Sequence, residues 1–202
     1  MRIFSLIFIL LSWGAAANQT LNGTVISVID GDSVMFQTKN QRTFGLRLFG
    51  IDAPEKNQEY SAEATQALEK MLLNQNVEAV CRDEQDRHGR QICTVMLNRQ
   101  DVGAELLAQG CAWVYPEDYG SSGRYYELQR YAKDYRKGLW AQPQPVAPWL
   151  WRHGKPQPNT PVQMSGTRGV APKSCPAGQH WEGPQLQKGK VVPGHCAEDS
   201  KS

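Results

Sequence analysis

Acidic and basic side chains at turns beside strands are the residues of this sequence best suited to chemistry. Carboxylates there can bind a hard cation or transfer a proton, and arginines can grip phosphate oxygens with paired hydrogen bonds. Each cluster alone is a weak signal, because Asp-Gly-Asp is typical of an ordinary turn and a strand arginine is typically solvated. Their order along the chain is the informative feature: Asp30-Gly31-Asp32, Arg47, Asp52-Ala53-Pro54-Glu55 and Asp86-Arg87-His88-Gly89-Arg90.

Five strands are predicted around these clusters. β-branched and apolar residues alternate with turn signals, which predicts strands at residues 24–29, 33–37 and 43–49 joined as an antiparallel meander. Two further strands are predicted at residues 77–81 and 92–97, on either side of the third charged cluster. The charged clusters therefore fall on the loops that connect strands.

Helical periodicity predicts three helices. The first covers residues 62–73 with Ser61 as its N-cap, and the second runs from the cap Asp101 to Ala108 with Gly110 as its C-terminal stop. The third runs from Ser121 or Ser122 to Arg136. Five strands with three helices predict a β-barrel plus α fold. The common case is the OB-fold, a five-stranded Greek-key barrel with about three helices.

Net charge limits how this chain could bind nucleic acid. It has 22 Lys+Arg against 20 Asp+Glu, a formal net charge of +2. This balance excludes a polybasic, histone-like protein. Any contacts with phosphates must come from a few well-placed side chains.

The ordered combination of motifs resembles the staphylococcal nuclease (thermonuclease) family, in particular its secreted bacterial members. The resemblance covers about residues 20–154 and implies a five-stranded OB-type barrel with three helices. It also implies a Ca²⁺-dependent phosphodiesterase activity on DNA and RNA. The motifs that carry it lie at residues 28–34, 46–55, 86–90, 106–110, 112–115, 137–140 and 148–152.

The resemblance implies a calcium site. Asp32 and Asp52 match the family's calcium-ligating carboxylates, and the main-chain carbonyl of Ala53 matches a third ligand. The family often has Thr where Ala53 stands, but a main-chain ligand does not depend on the side chain. Hard oxygen ligands of this kind suit Ca²⁺, with water and a phosphate oxygen at the remaining positions.

The resemblance also implies the catalytic groups. Glu55 matches the carboxylate assigned as general base, and Arg47 and Arg90 match the two phosphate-binding arginines. Hydrolysis of a phosphodiester needs an activated water and stabilisation of the charge that develops on the phosphate. Guanidinium forks meet the second need in a way that lysine does not.

Three further residues are candidate substrate contacts. His88 stands where the family usually has Tyr, which removes a phenol contact to phosphate and introduces a pH-sensitive group. Trp113 and Tyr115 lie where family members place aromatic residues near the substrate base, and stacking contributes ~1–3 kcal/mol per base. For Trp113, ordinary core packing is an equally good interpretation.

The N-terminus predicts export. Met1-Arg2 is followed by an apolar run at residues 3–13 and by Ala15-Ala16-Ala17, the pattern of a signal peptide cleaved after Ala17. The run is too short to span a bilayer, which needs about 20 residues. We therefore expect a periplasmic or extracellular protein with no membrane attachment after cleavage.

Export makes disulfides possible. The economical pairing is Cys81 with Cys93 and Cys175 with Cys196, which leaves Cys111 without a partner. A zinc site is less favoured because the chain has no Cys-x-x-Cys. A Cys81–Cys93 bond could brace the hairpin that presents Arg90, or it could act only as a stabilising cross-link.

The predicted organisation is a signal peptide (1–17), a nuclease domain (18–154), a Pro-rich linker (155–172) and a small Cys-containing tail (173–202). We expect a monomer with DNA and RNA as substrates. The alternative is a catalytically silent OB-fold module that binds nucleic acid, because the fold alone supports binding without chemistry.

Overall fold

The computed structural model describes residues 18–115 and 123–154, together with the backbone of four short strands in the tail. The predicted signal peptide (1–17), the predicted linker (155–172) and Cys175 lie outside the described residues. The predicted domain boundaries at these segments therefore remain predictions.

A closed five-stranded barrel forms the body of the protein. The long strands pair in the order β3-β2-β1-β5-β6, and a parallel pairing of β3 with β6 closes the sheet on itself. This confirms the predicted β-barrel plus α fold. The strands that precede the tail are β1 (Gln19–Asp30), β2 (Ser33–Thr38), β3 (Thr43–Leu48), β4 (Ile51–Asp52), β5 (Asn76–Gln85), β6 (Gln91–Leu97), β7 (Gln100–Asp101) and β8 (Trp113–Val114).

Helices pack on the barrel and share its core. Ala64, Leu68 and Leu72 repeat at helical spacing on the first helix and are fully buried in the same cluster as Phe36 and Leu46 of the barrel. The helices are α1 (Ser61–Leu72), α2 (Val102–Gln109), α3 (Gly123–Asp134), a 3₁₀ helix (Gly138–Ala141) and α4 (Pro148–Arg152). The last two extend the prediction of about three helices.

The ends of the helices test the predicted caps. The Asp101 side chain accepts a hydrogen bond from the Ala104 N–H, and Gly110 ends α2 in the left-handed conformation at φ 74°, both as predicted. The predicted Ser61 cap is wrong. Tyr60, at φ 70°, precedes α1 without a side-chain cap, and Ser61 is already the first helical residue. A left-handed Tyr60 turns the chain into the helix one residue before the expected position.

The turn between β1 and β2 packs closely against the bend that follows β4. β1 carries two register irregularities against β2 just before this turn, at Val25/Ser27 and Val28/Asp30. A Cβ atom on Gly31 would lie 2.7 Å from the Cβ of Ala53, so only glycine lets the two segments touch. This close approach brings Asp32 beside Ala53.

The segment after α3 is held against the body by tryptophan packing. Trp149 at the start of α4 stacks edge-on against Trp113, with ring centroids 5.7 Å apart, and contacts Tyr115 at 6.5 Å. The Gln58 amide donates a 2.7 Å hydrogen bond to the Val146 carbonyl. Trp151 stays 43% exposed, so Trp149 carries most of this packing.

Four short strands are described in the tail, as two antiparallel pairs. They are β9 (Gln179–Glu182), β10 (Gln185–Gln187), β11 (Lys190–Val192) and β12 (His195–Glu198), with β9 paired to β12 and β10 to β11. Cys196 lies on β12 opposite Trp181. The predicted Cys175–Cys196 pairing stays a prediction. None of the helices in the described part of the chain has the length and apolarity that crossing a membrane requires.

The Cys81–Cys93 disulfide is present. The two residues lie directly opposite each other on β5 and β6, and both are buried. Cys111 is buried and carries a free thiol. Burial raises the pKa of the Cys111 thiol to about 11, so it is uncharged and unreactive at neutral pH.

Removing this cross-link is expected to destabilise the barrel. A bond between residues 12 apart in sequence closes a short loop, for which the chain-entropy model gives about 3 kcal/mol. Urea denaturation with and without a reductant measures the change in free energy of unfolding. The Cys81→Ala, Cys93→Ala double variant is the control, because any response of its unfolding midpoint to reductant comes from the other cysteines and is subtracted. An unchanged midpoint for the reduced wild type would contradict the prediction.

Candidate active site

A cleft of about 770 Å³ opens where the β1–β2 turn, β3, the bend after β4, the β5–β6 loop and α4 meet. Most of the sequence-predicted site residues come together there, although they derive from five separate segments. Those lining the cleft are Asp32, Arg47, Ala53, Glu55, His88, Arg90 and Tyr115. Asp52 is adjacent to them and almost fully buried, at 1% exposure.

Arg47 joins the two buried carboxylates. It lies on β3 opposite Ser33, which directs its side chain toward the β1–β2 turn. Its Nη1 donates to Asp32 Oδ1 at 2.5 Å, and its Nη2 donates to Asp52 Oδ1 at 2.9 Å. A planar fork with two outward N–H groups can make both contacts at once. Arg47 therefore holds the two carboxylates side by side.

Burial and charge oppose each other in this group. Burial by itself raises the pKa of Asp32, but the charge of Arg47 and the N–H of Ala53 outweigh it and hold the pKa below its ordinary value. Burial raises the pKa of Asp52, and hydrogen bonds from Arg152 offset this only in part. Burial lowers the pKa of Arg47, but the charges of Asp32 and Asp52 raise it by more, so the net shift is upward and the guanidinium stays charged.

The oxygen donors at this point suit a hard divalent cation. Asp32 Oδ2 accepts a 2.9 Å hydrogen bond from the Ala53 N–H, which sets the Ala53 main chain beside both carboxylates. Among the described residues, no three His, Cys, Asp or Glu side chains cluster closely enough to hold a metal. A cation bound here would therefore depend on Asp32, Asp52 and main-chain oxygen, with water or phosphate completing its shell.

Glu55 is held on a rigid bend. Its N–H donates to Gln58 Oε1 at 2.9 Å, its carbonyl accepts from the Gln58 N–H at 2.8 Å, and the Gln58 side chain is buried. The Glu55 side chain itself is 37% exposed and lines the cleft. The backbone is thus fixed while the carboxylate remains accessible.

Arg90 is presented by a loop that Asp86 organises. Asp86 Oδ1 accepts from the N–H groups of His88 and Arg90, and Oδ2 accepts from Arg90 Nε at 2.6 Å. Burial by itself raises the pKa of Asp86, but these hydrogen bonds lower it overall. Arg90 Nη1 then donates to Ser33 Oγ at 2.6 Å, and that hydroxyl donates to Asp32 Oδ1. One network joins both arginines to Asp32.

The candidate substrate contacts divide into two groups. His88 is exposed in the cleft beside Arg87, whose Nε lies 3.0 Å from His88 Nε2, and Tyr115 lies 5.9 Å from Arg47 Cζ. Trp113 does not line the cleft. Its ring is 9% exposed and packs 4.3 Å from that of Trp140, because the stacked Trp149 covers it. Its position fits core packing, which was one of the two interpretations of Trp113 that the sequence left open.

Arg152 is the main site residue that sequence reasoning missed. Its Nη1 and Nη2 contact both carboxylate oxygens of Asp52, at 3.2 and 3.0 Å, and Nη1 contacts Glu55 Oε1 at 2.5 Å. Asp86, Ser33 and Gln58 also lie in the site without a role predicted from the sequence. The only available signal for Arg152 was its place at the end of the Pro148-Trp149-Leu150-Trp151-Arg152 motif.

Known proteins share this sequence pattern. Residues 45–142 match the family model described as "Staphylococcal nuclease homologue". A protein of Escherichia coli named "Uncharacterized endonuclease" is 32% identical over 155 residues, which cover 76% of this chain and 99% of that protein. The "Micrococcal nuclease" of Shigella flexneri is 33% identical over 141 residues, covering 64% of this chain and 79% of that protein. With its barrel and its cleft, this chain belongs to the staphylococcal nuclease family and is a nuclease.

Proposed function

We propose that this protein is an exported, Ca²⁺-dependent nuclease that hydrolyses phosphodiester bonds of DNA and RNA. The observation that carries the proposal is the arrangement around Arg47. One guanidinium bridges two buried carboxylates at a cleft that also receives Glu55 and Arg90. A module that only binds nucleic acid has no use for carboxylates facing a phosphate.

The metal that the family implies would be held by Asp32, Asp52 and the carbonyl of Ala53. When bound, it would neutralise the phosphate and stabilise the charge that builds up during hydrolysis. We propose Ca²⁺ because the donors are all hard oxygens and too few to enclose the ion. A site of this kind binds weakly, on the order of 10⁻⁴–10⁻³ M, as is typical of extracellular modules.

Glu55 would act as the general base. Its accessible carboxylate can take a proton from a water molecule that attacks phosphorus, while the rigid bend keeps it in place. The resulting hydroxide oxygen would bond to phosphorus as the phosphorus–ester oxygen bond breaks, and the departing alkoxide would take a proton from solvent. Arg47 and Arg90 would grip the non-bridging oxygens of the phosphate, where charge accumulates.

The same cleft offers contacts for the rest of the nucleotide. Tyr115 presents an aromatic ring at its wall, suited to stacking against a base, and His88 presents a polar ring near Arg90. Stacking accepts every base, since every base has a π-face. We therefore propose that the enzyme acts on both DNA and RNA without strong sequence preference. We also propose that it acts as a monomer.

Export is supported by the predicted signal peptide at residues 1–17 and by the disulfide at Cys81–Cys93, which persists in oxidising compartments. The cross-link lies at the base of the strands that present Arg90. If it braces that loop, reduction under conditions that leave the barrel folded should remove most activity. Unchanged turnover after reduction would limit its role to stability.

Digestion of single-stranded DNA and of RNA with and without a calcium chelator tests the proposed activity. We expect cleavage of both polymers in Ca²⁺, loss of cleavage when the chelator is added, and recovery when excess Ca²⁺ is restored. Cleavage that resists the chelator would contradict the metal requirement. Binding to either polymer without cleavage in Ca²⁺ would favour the silent OB-fold module instead.

A further inference from the structure

We propose that Arg152 is a positioning residue that sets the orientation of the Glu55 carboxylate, and that α4 is therefore part of the active site. This inference rests on the proposed role of Glu55 as general base. Arg152 lies beyond residues 45–142, the part of the chain that matches the family model. The match gives this arginine no role.

The contacts of Arg152 are those of a brace between two carboxylates. It grips Asp52 through both carboxylate oxygens, at 3.2 and 3.0 Å, and the same Nη1 reaches Glu55 Oε1 at 2.5 Å. Asp52 Oδ1 also accepts a hydrogen bond from Arg47 Nη2 at 2.9 Å. Because Asp52 is fixed twice over, Arg152 connects the accessible Glu55 carboxylate to the most rigid part of the site.

Contacts that do not involve the Arg152 side chain fix the position of α4 and therefore of Arg152. Ala147, just before α4, is buried, and Pro148 begins the helix with the backbone already restricted for it. Trp149 stacks on Trp113 and Tyr115, and the Gln58 side chain bonds the Val146 carbonyl. Gln58 is the residue that also holds the Glu55 main chain. The segment before Arg152 and the bend of Glu55 are thus tied together at the main chain as well.

The chemistry of arginine suits this role. A guanidinium can hold one carboxylate with one N–H from each of its two terminal nitrogens. The second N–H of one of those nitrogens can then bond to another carboxylate, which a lysine ammonium cannot do in a fixed geometry. A general base must also lie within hydrogen-bond reach of the proton it accepts. Freed from Arg152, Glu55 would sample other rotamers, and misplacement by about 1 Å typically costs on the order of 10²-fold in rate.

Steady-state kinetics at saturating Ca²⁺ test the proposal on Arg152→Ala, Arg152→Lys, Glu55→Gln and the Arg152→Ala, Glu55→Gln double variant. We expect Arg152→Ala to lower kcat by about 10²-fold with KM nearly unchanged, and millimolar guanidinium to restore part of it. Arg152→Lys should recover little. The double variant should be no slower than Glu55→Gln alone, because Arg152 acts through Glu55. Arg42→Ala, which removes an exposed arginine far from the cleft, should match the wild type.

Three results would overturn the positioning role. They are a wild-type kcat for Arg152→Ala, a rise in KM without a fall in kcat, or a double variant slower than Glu55→Gln by the full Arg152→Ala factor. Failure of the underlying function has a different signature, since Glu55→Gln would then retain activity. Should Arg152→Ala fail to fold, Arg152→Gln carries the same comparison. A double-mutant cycle of unfolding free energies, measured in chelator, adds a readout that does not depend on activity. If the effects of Arg152→Ala and Glu55→Gln on the free energy of unfolding are additive, that result would also count against the contact.

Discussion

Replacing Glu55 with Gln is expected to lower kcat by about 10²–10⁴-fold while costing less than about 1 kcal/mol of unfolding free energy, the contribution expected of its partly exposed ion pair with Arg152. The amide has the shape of the carboxylate but cannot accept the proton of the attacking water. The fold should tolerate the change because the Glu55 side chain is 37% exposed and the Glu55 main chain is held by Gln58. Initial rates on a labelled single-stranded oligonucleotide, with a urea denaturation curve for each variant, make the measurement.

Glu59→Gln is a matched control for this prediction. Glu59 is exposed, lies four residues further along the same segment and does not line the cleft. The control makes the same change of charge close to the site and should leave kcat unaltered. If Glu55→Gln cleaves at the wild-type rate, Glu55 is not the base. The proton acceptor must then be sought among the other groups of the cleft.

Replacing Arg47 with Met is expected to cost about 3 kcal/mol of unfolding free energy in addition to abolishing activity. The substitution leaves Asp32 and Asp52 buried beside each other without the cation that bridges them. The loss of unfolding free energy should lie at the low end of the range that is typical of a broken buried ion pair. Asp52 keeps Arg152, and Asp32 keeps the Ser33 hydroxyl and the Ala53 N–H.

A second substitution distinguishes this electrostatic cause from simple loss of packing. Asp32→Asn in the Arg47→Met background removes one of the unpaired charges, so it should recover part of the lost stability. Urea denaturation in chelator measures both variants without a contribution from metal. The exposed Arg42→Met should change the free energy of unfolding by less than about 0.5 kcal/mol. An Arg47→Met variant as stable as the wild type, or a double variant less stable still, would contradict the prediction.

Much of the fold was predictable from local patterns. Alternating apolar residues identify the five barrel strands, and the helical spacing of Ala64, Leu68 and Leu72 identifies α1. The caps of α2 were predictable because Asp101 and Gly110 act on neighbouring backbone groups. The parallel pairing of β3 with β6 joins strands more than forty residues apart, and no local signal specifies its register. The start of α1 was misplaced because Tyr60 adopts a left-handed conformation that its residue type does not announce.

The candidate site divides in the same way. The ordered motifs, through the family resemblance that they carry, identified Asp32, Arg47, Asp52, Glu55 and Arg90 as candidates, because each of these residues stands in a short recognisable stretch of sequence. Only the folded chain shows that one guanidinium spans Asp32 and Asp52, that Trp113 lies under Trp149, and that Arg152 reaches Asp52 from 100 residues away. Such contacts depend on how the barrel closes and where α4 packs. Both are settled by burial of apolar surface over the whole domain, which no short stretch of sequence records.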